Sequence, residues 1–245
     1  MTDLEYIIRD KYAGDASLVT PEDTKRLASG EPVAYIIGWI PFLGLQITLS
    51  SKPLIPRPET EWWTELLIAY ITEKYGDTPV TILDLCAGSG AIGLALLKTH
   101  SQAQVYFIEQ DNLHLKTIQE NIHTNNLDPL RAQLFSGDLF ENVPEVQFDI
   151  IACNPPYIPS TRVLEAGVTS FEPAQALFSG GDGLDLIRRI ANEAKAHLRS
   201  GGELWMEADI DNIEEAKALL LSHGARSAVI QNDLYGRPRL VIAYY

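Results

Sequence analysis

Short apolar runs alternate with longer amphipathic stretches over most of this chain. Val80-Thr81-Ile82-Leu83-Asp84-Leu85 is nearly continuous in apolar residues and short, the pattern of a strand buried on both faces. Similar runs recur at Gln104–Glu109, Ala132–Phe135, Phe148–Cys153, Glu203–Glu207, Ala228–Gln231 and Leu240–Tyr244. Between them lie segments with helical spacing: Glu61 to about Tyr75, a stretch from Ala91, Leu113–Thr124, Leu184–Leu198 and Asn212–His223. Strand and helix in alternation predict a doubly wound α/β sheet of seven strands.

The first fifty residues follow a different pattern. Leu4 to Tyr12 reads as a short helix. Thr20-Pro21-Glu22-Asp23 gives an N-cap followed by proline at the first helical position, and Gly30 stops the helix that ends near Ser29. Val33 to Ser51 is rich in β-branched and aromatic residues interrupted at Gly38, Pro41 and Gly44, which predicts a small hairpin. A proline-rich loop, Pro53 to Thr60, follows. The division expected is a helix-and-hairpin module over 1–52 and a larger α/β domain over 53–245, with no internal repeat.

Composition narrows the function. The chain has 245 residues, 46% of them hydrophobic, and no apolar run of the ~20 residues needed to span a membrane. Met1-Thr2-Asp3-Leu4-Glu5 lacks the basic-then-apolar start of a secretory signal, so a cytoplasmic location is expected. Cys86 and Cys153 are far apart in sequence and in apolar surroundings, which argues against a disulfide framework. The formal net charge of −14, with no Lys/Arg cluster, points away from direct nucleic-acid binding and toward a protein or small-molecule substrate.

Three features carry chemistry. Asp84-Leu85-Cys86-Ala87-Gly88-Ser89-Gly90 joins a strand to a helix, where glycines let a ligand approach the backbone closely. No Gly-Lys-Ser/Thr follows, so it is not a nucleotide-triphosphate loop. Gly88-x-Gly90-x-x-Gly93 does match a dinucleotide fingerprint literally. Glu109 ends the next strand, where a carboxylate can accept both ribose hydroxyls of an adenosine-containing cofactor. Asn154-Pro155-Pro156-Tyr157 follows the fourth strand, at the ligand-binding edge of such a sheet. An amide nitrogen is a poor nucleophile because its lone pair is delocalised. The Asn154 side-chain oxygen and the Pro155 carbonyl can accept both of its hydrogens and aim it at an electrophilic methyl group. Tyr157 offers a flat face to a planar group. Hydride transfer has no use for this tetrapeptide, and the dehydrogenase reading falls.

These residues and their flanks resemble the release-factor glutamine methyltransferases, which methylate the glutamine of the Gly-Gly-Gln motif in peptide chain release factors. The resemblance rests on Leu54-Ile55-Pro56-Arg57-Pro58-Glu59-Thr60-Glu61, on Glu31-Pro32-x-x-Tyr35-Ile36-x-Gly38 and on Phe42-x-Gly44-Leu45. Downstream it rests on Phe171-Glu172-Pro173-x-x-Ala176-Leu177 and Gly181-Asp182-Gly183-Leu184-Asp185. It implies a Rossmann-like, seven-stranded class I methyltransferase sheet and S-adenosyl-L-methionine as cofactor, released as S-adenosyl-L-homocysteine. By the same resemblance, Cys86, Ala87, Gly88, Ser89, Gly90, Glu109, Asp138, Leu139 and Asn154 would hold the cofactor. Arg57 and Thr60 would line the cofactor or substrate pocket, and Asn154, Pro155, Pro156 and Tyr157 would hold the glutamine amide. A release factor would be the protein partner. The tetrapeptide alone also fits adenine-N6 methyltransferases of nucleic acid. It fits a sister family acting on a ribosomal protein too, but that family usually lacks the Arg-Pro-Glu-Thr-Glu form.

The chain departs from the family pattern in places. Cys86-Ala87-Gly88 replaces Gly-Thr-Gly, which bears on cofactor affinity, and Glu207-Ala208-Asp209 replaces Glu-x-Gly. The N-terminal module is shorter than the family's helical domain. A weakly active, cofactor-binding interaction protein is therefore the reading from another class. The five histidines, His100, His114, His123, His197 and His223, read as single polar helical positions without metal-ligand spacing. Cys153 reads as a buried small residue, Trp62-Trp63 as packing, and Glu172 as a loop-orienting residue rather than a base.

Overall fold

The computed structural model describes residues 1–245. Its N-terminal part holds helices α1 (Asp3–Lys11), α2 (Pro21–Ala28) and α3 (Val33–Ile37), then a hairpin of β1 (Trp39–Phe42) and β2 (Leu45–Thr48). Thr2 and Glu5 cap α1 reciprocally, and Thr20 and Asp23 do the same for α2, so two orphan amides are satisfied at each start. The hairpin expected over Val33–Ser51 forms only from Trp39. Val33–Ile37 is instead a single helical turn, set off by Pro32 and closed by Gly38 at φ +94°, whose N–H reaches the Ala34 carbonyl. Its β-branched residues are outweighed by these two stops and by the burial of Tyr35 and Ile36.

Helix α4 (Pro58–Tyr75) begins three residues earlier than the apolar pattern suggests, with proline at its first position and Glu59 and Glu61 in the first turn. The elements β3 (Val80–Leu85), α5 (Ala91–Thr99), β4 (Ala103–Glu109), α6 (Asn112–Thr124), β5 (Ala132–Ser136) and β6 (Phe148–Cys153) follow. Then come α7 (Ala166–Phe171), α8 (Asp185–His197), β7 (Leu198–Glu207), α9 (Ile213–Ser222), β8 (Ser227–Asn232) and β9 (Pro238–Tyr244). The seven-stranded sheet has the order β5-β4-β3-β6-β7-β9-β8. It is parallel from β5 to β7, while β9 lies antiparallel between β7 and β8. This is the Rossmann-like, seven-stranded sheet that the resemblance implies.

Strand residues alternate between two cores. Ile82, Val105, Phe107, Ile150 and Trp205 face a layer built with α4, α5 and α6. Leu83, Leu85, Ile151, Leu204 and Met206 face the layer of α8 and α9. The hairpin side chains Phe42, Leu45 and Ile47 join the first layer, and Asn121 of α6 accepts from Thr48 N at 2.7 Å. Register places the site: Leu85 pairs with both Ile108 and Cys153, so the segments after β3, β4 and β6 emerge together at one edge.

Candidate active site

A cavity opens at this edge between the loop after β3, the end of β4 and the segment after β6. Cys86, Gly88, Glu109, Asp138, Leu139 and Asn154 line it, with His114, Leu54 and Leu186. A Cβ built at Gly88 meets no atom within 4 Å, so open space lies against the loop backbone. Gly88 N–H donates to Glu109 Oε2 at 2.8 Å, and Asp111 N–H donates to Oε1 at 2.9 Å. The carboxylate is thus fixed in place while each oxygen keeps a further lone pair for a ligand hydroxyl. These acceptors fit the ribose hydroxyls of an adenosine-containing cofactor. Ala87 and Ser89 are buried behind the loop, and Gly90 at φ +78° turns the chain into α5. None of these three touches the cavity wall directly.

Two of the seven non-glycine positions with left-handed backbone lie here, Cys86 at φ +61° and Leu139 at φ +55°. Both line the cavity. Beneath the loop, the fully buried Asp84 accepts from Gly93 N–H at 2.8 Å through one oxygen, and the other has no partner. Burial pushes its carboxyl up to about 8, against the pull of the Gly93 bond. Cys86 and Cys153, distant in sequence, lie side by side at the ends of β3 and β6, and both are free thiols. Burial, with the neighbouring Cys86 sulfur, raises the Cys153 thiol well above its usual range.

A second cavity adjoins the first, sharing Leu54, Asn154 and Ala176 with it, and is lined also by Arg57, Pro155, Tyr157, Ile158, Leu164 and Val168. Asn154 borders both cavities. Arg57 is held by Glu172, whose Oε1 accepts from its guanidinium at 2.6 Å and whose Oε2 accepts from Ile55 N–H at 3.1 Å. Glu172 therefore pins the proline-rich loop to the segment around α7, a region with no assigned element in the sequence reading. Asp209 binds Arg162 of the same region at 2.5 Å. Thr60 lines neither cavity; it is buried under Asn154, whose Nδ2 donates to its Oγ1 at 3.1 Å.

Other residues were missed by sequence reasoning. Glu207, 1% exposed at the end of β7, accepts from Thr60, Trp63 and Tyr157. The only signal was its Glu-x-Gly-like context, and Trp63 had been read as packing alone. His114 is buried in the wall of the first cavity with Nδ1 2.8 Å from Ser51 Oγ, not at a polar surface position. Its place in the first turn of the helix after Glu109 was the available clue. His100 is buried as well, past the end of α5, with Nε2 3.2 Å from the Thr78 carbonyl. No group of three or more His, Cys, Asp or Glu is arranged to hold a metal ion. No helix is long and apolar enough to cross a membrane.

Among proteins of known structure, a methyltransferase from Pyrococcus furiosus superposes with a TM-score of 0.58 at 18% identity, covering 92% of this chain and 98% of that one. The catalytic domain of hMettl16 superposes with a TM-score of 0.63 at 17% identity, covering 82% of this chain and 76% of that one. At such identities they speak for the fold. Residues 59–182 match the family model described as the methyltransferase small domain. The release factor glutamine methyltransferase of Xylella fastidiosa (strain Temecula1) is 37% identical over 216 residues, 88% of this chain and 77% of that protein. That of Lactococcus lactis is 30% identical over 238 residues, 96% of this chain and 85% of that protein. Identity of this degree along nearly the whole chain makes it a methyltransferase, a member of the release factor glutamine methyltransferase family.

Proposed function

We propose that this chain transfers a methyl group from S-adenosylmethionine to the side-chain amide nitrogen of a glutamine in the Gly-Gly-Gln motif of a peptide chain release factor. The observation that carries the reading is the position of Asn154 in the wall shared by two adjoining cavities. One is lined by Cys86, Gly88, Glu109, Asp138 and Leu139, and is assigned to the cofactor. The other, with Arg57 and Tyr157 in its wall, is assigned to the glutamine. Such a shared wall lets one residue orient a nucleophile toward a group held in the adjoining cavity.

When bound, S-adenosylmethionine supplies a methyl on a positively charged sulfur, which takes the electrons of the breaking carbon–sulfur bond. The protein's work is positioning. The Asn154 side-chain oxygen and the Pro155 carbonyl accept the two amide hydrogens, hold the nitrogen in line and favour the positive charge that develops on it. Tyr157 packs against the amide plane. The nitrogen sheds one proton to water after the new bond forms, so no strong base is required. Glu109 holds the ribose, and Asp138 and Leu139 border the adenine. Residues 1–52, set beside the α/β domain of 53–245, contribute to docking the protein substrate in the cytoplasm.

The test is labelled-methyl transfer to a folded release factor, to its Gln→Ala variant at the triplet, to a ribosomal protein and to nucleic acid. Label confined to the release factor and abolished by Gln→Ala is expected. Equal labelling of the Gln→Ala protein would sink the proposed substrate.

A further inference from the structure

Asn154 can present either its oxygen or its nitrogen to a substrate, because the two ends of an amide have nearly the same shape. Only the oxygen can accept an amide hydrogen. What decides the orientation is therefore part of the reaction, and the structure supplies an answer one layer below the cavity wall.

Glu207 Oε2 faces two donors, Thr60 Oγ1 at 2.7 Å and Trp63 Nε1 at 2.8 Å. The indole N–H can only donate, which makes this oxygen an acceptor. The Thr60 hydroxyl has one hydrogen and gives it to Glu207. Only its lone pairs remain for Asn154, so the Asn154 atom 3.1 Å away must be the nitrogen. Its oxygen is left for the substrate. Glu207 Oε1 accepts from the Tyr157 phenol at 2.8 Å. Burial and the adjacent carboxylate raise that phenol well above its usual range, which keeps it a donor.

We infer that Glu207 is a positioning residue for methyl transfer, fixing the Asn154 amide oxygen toward the substrate through Thr60 and anchoring the Tyr157 ring at the other end of the tetrapeptide. The inference rests on the function proposed above. Glu207 forms no salt bridge, and a buried carboxylate held by three neutral donors is costly to keep for packing alone. The same carboxylate ties α4, the segment after β6 and the end of β7 to one point.

Thr60→Val keeps the shape of the side chain and removes the hydroxyl. It frees Asn154 to flip, and kcat is expected to fall about 10–100-fold, the range in which misorientation acts. The dissociation constant for S-adenosylmethionine and the thermal midpoint should move little. Thr60→Ser restores the hydroxyl and should recover most of the lost kcat. A Thr60→Val enzyme with wild-type kcat, or a Thr60→Ser enzyme as impaired as the valine variant, overturns the inference. Nuclear magnetic resonance of the Asn154 side-chain amide gives a readout independent of substrate. Slow hydrogen exchange at Nδ2 in the wild type, lost in Thr60→Val, is expected, and equal exchange in both overturns the inference. If the wild type leaves release factor unlabelled, the function reading falls while the amide exchange still decides whether Thr60, held by Glu207, fixes Asn154.

Discussion

Cys86 pays a conformational penalty at the turn that leads out of β3. A left-handed backbone costs an L-residue roughly 1–2 kcal/mol, and Cys86 sits at φ +61° directly after β3. Cys86→Val adds a second branch at Cβ to that strain. It should lower stability by about 1–3 kcal/mol and weaken cofactor binding, whereas Cys86→Gly should be tolerated. Denaturant unfolding of the two variants is the check, and a valine variant as stable as wild type would show that the turn relaxes without cost. Glu109 makes a second residue-scale prediction. Its charge assists bonds worth roughly 1.5–3 kcal/mol apiece, two of them to Gly88 and Asp111 amides. Glu109→Gln should therefore weaken S-adenosylmethionine in titration calorimetry, and unchanged affinity would remove this residue from the site.

At the scale of elements, close approach and charge pairing do most of the positioning. Helix α5 lies so near β4 that a Cβ at Gly93 would fall 2.3 Å from the Phe107 ring and 2.9 Å from Asp84 Oδ2. Gly93→Ala should push the helix off the sheet at a cost of about 1–3 kcal/mol, read as a lower thermal midpoint. The N-terminal helices depend on Glu31, which binds Arg26 through two nitrogens and Lys52 through a third, each at 2.8 Å. The Arg26 bond, with Lys52 behind it, pulls the Glu31 carboxyl from 4.5 down to about 2. A carboxylate depressed in the folded state stabilises fully above its unfolded value and loses that contribution as pH falls through its folded value. The stability gap between wild type and Glu31→Gln should thus be widest above pH 4.5 and close near pH 2. A gap that does not change with pH would assign the role to packing.

The same scale explains what the sequence could disclose. The central strands announced themselves because burial on both faces leaves near-continuous apolar runs. The exposed edge strand β8 did so by its β-branched Val229 and Ile230, and the loop and tetrapeptide were legible because they follow strands directly. Val33–Ile37 was misread since its β-branched residues are local signals, while its helical turn is decided by Pro32, Gly38 and the burial of Tyr35. Glu172 was legible as a loop-orienting residue, but its partner Arg57 was not, and the contacts of Glu207 and His114 stayed hidden for the same reason. Each acts on residues more than 50 positions away, on Arg57, Trp63 and Ser51, and pairings of that range leave no periodic trace.

Across the whole molecule the net charge is −14, and the substrate proposed for it is another protein. Acidic steering of a basic partner raises the association rate, and screening over about 8 Å at physiological salt removes it. The kcat/KM for release factor should fall as salt rises while kcat stays level, and a flat salt profile would exclude steering. Sheet order has a consequence of another kind. Strand β9 comes last along the chain yet lies inside the sheet, between β7 and β8. While Pro238–Tyr244 is still within the ribosome, β7 presents an open edge and β8 has no neighbour to pair with. The cofactor end of the sheet can be laid down during synthesis, but the nascent chain carries an unpaired, apolar edge until its final strand emerges. Chaperone binding and aggregation risk should therefore persist until Pro238–Tyr244 has emerged and paired with both neighbours, the last of the seven strands closing the sheet from within.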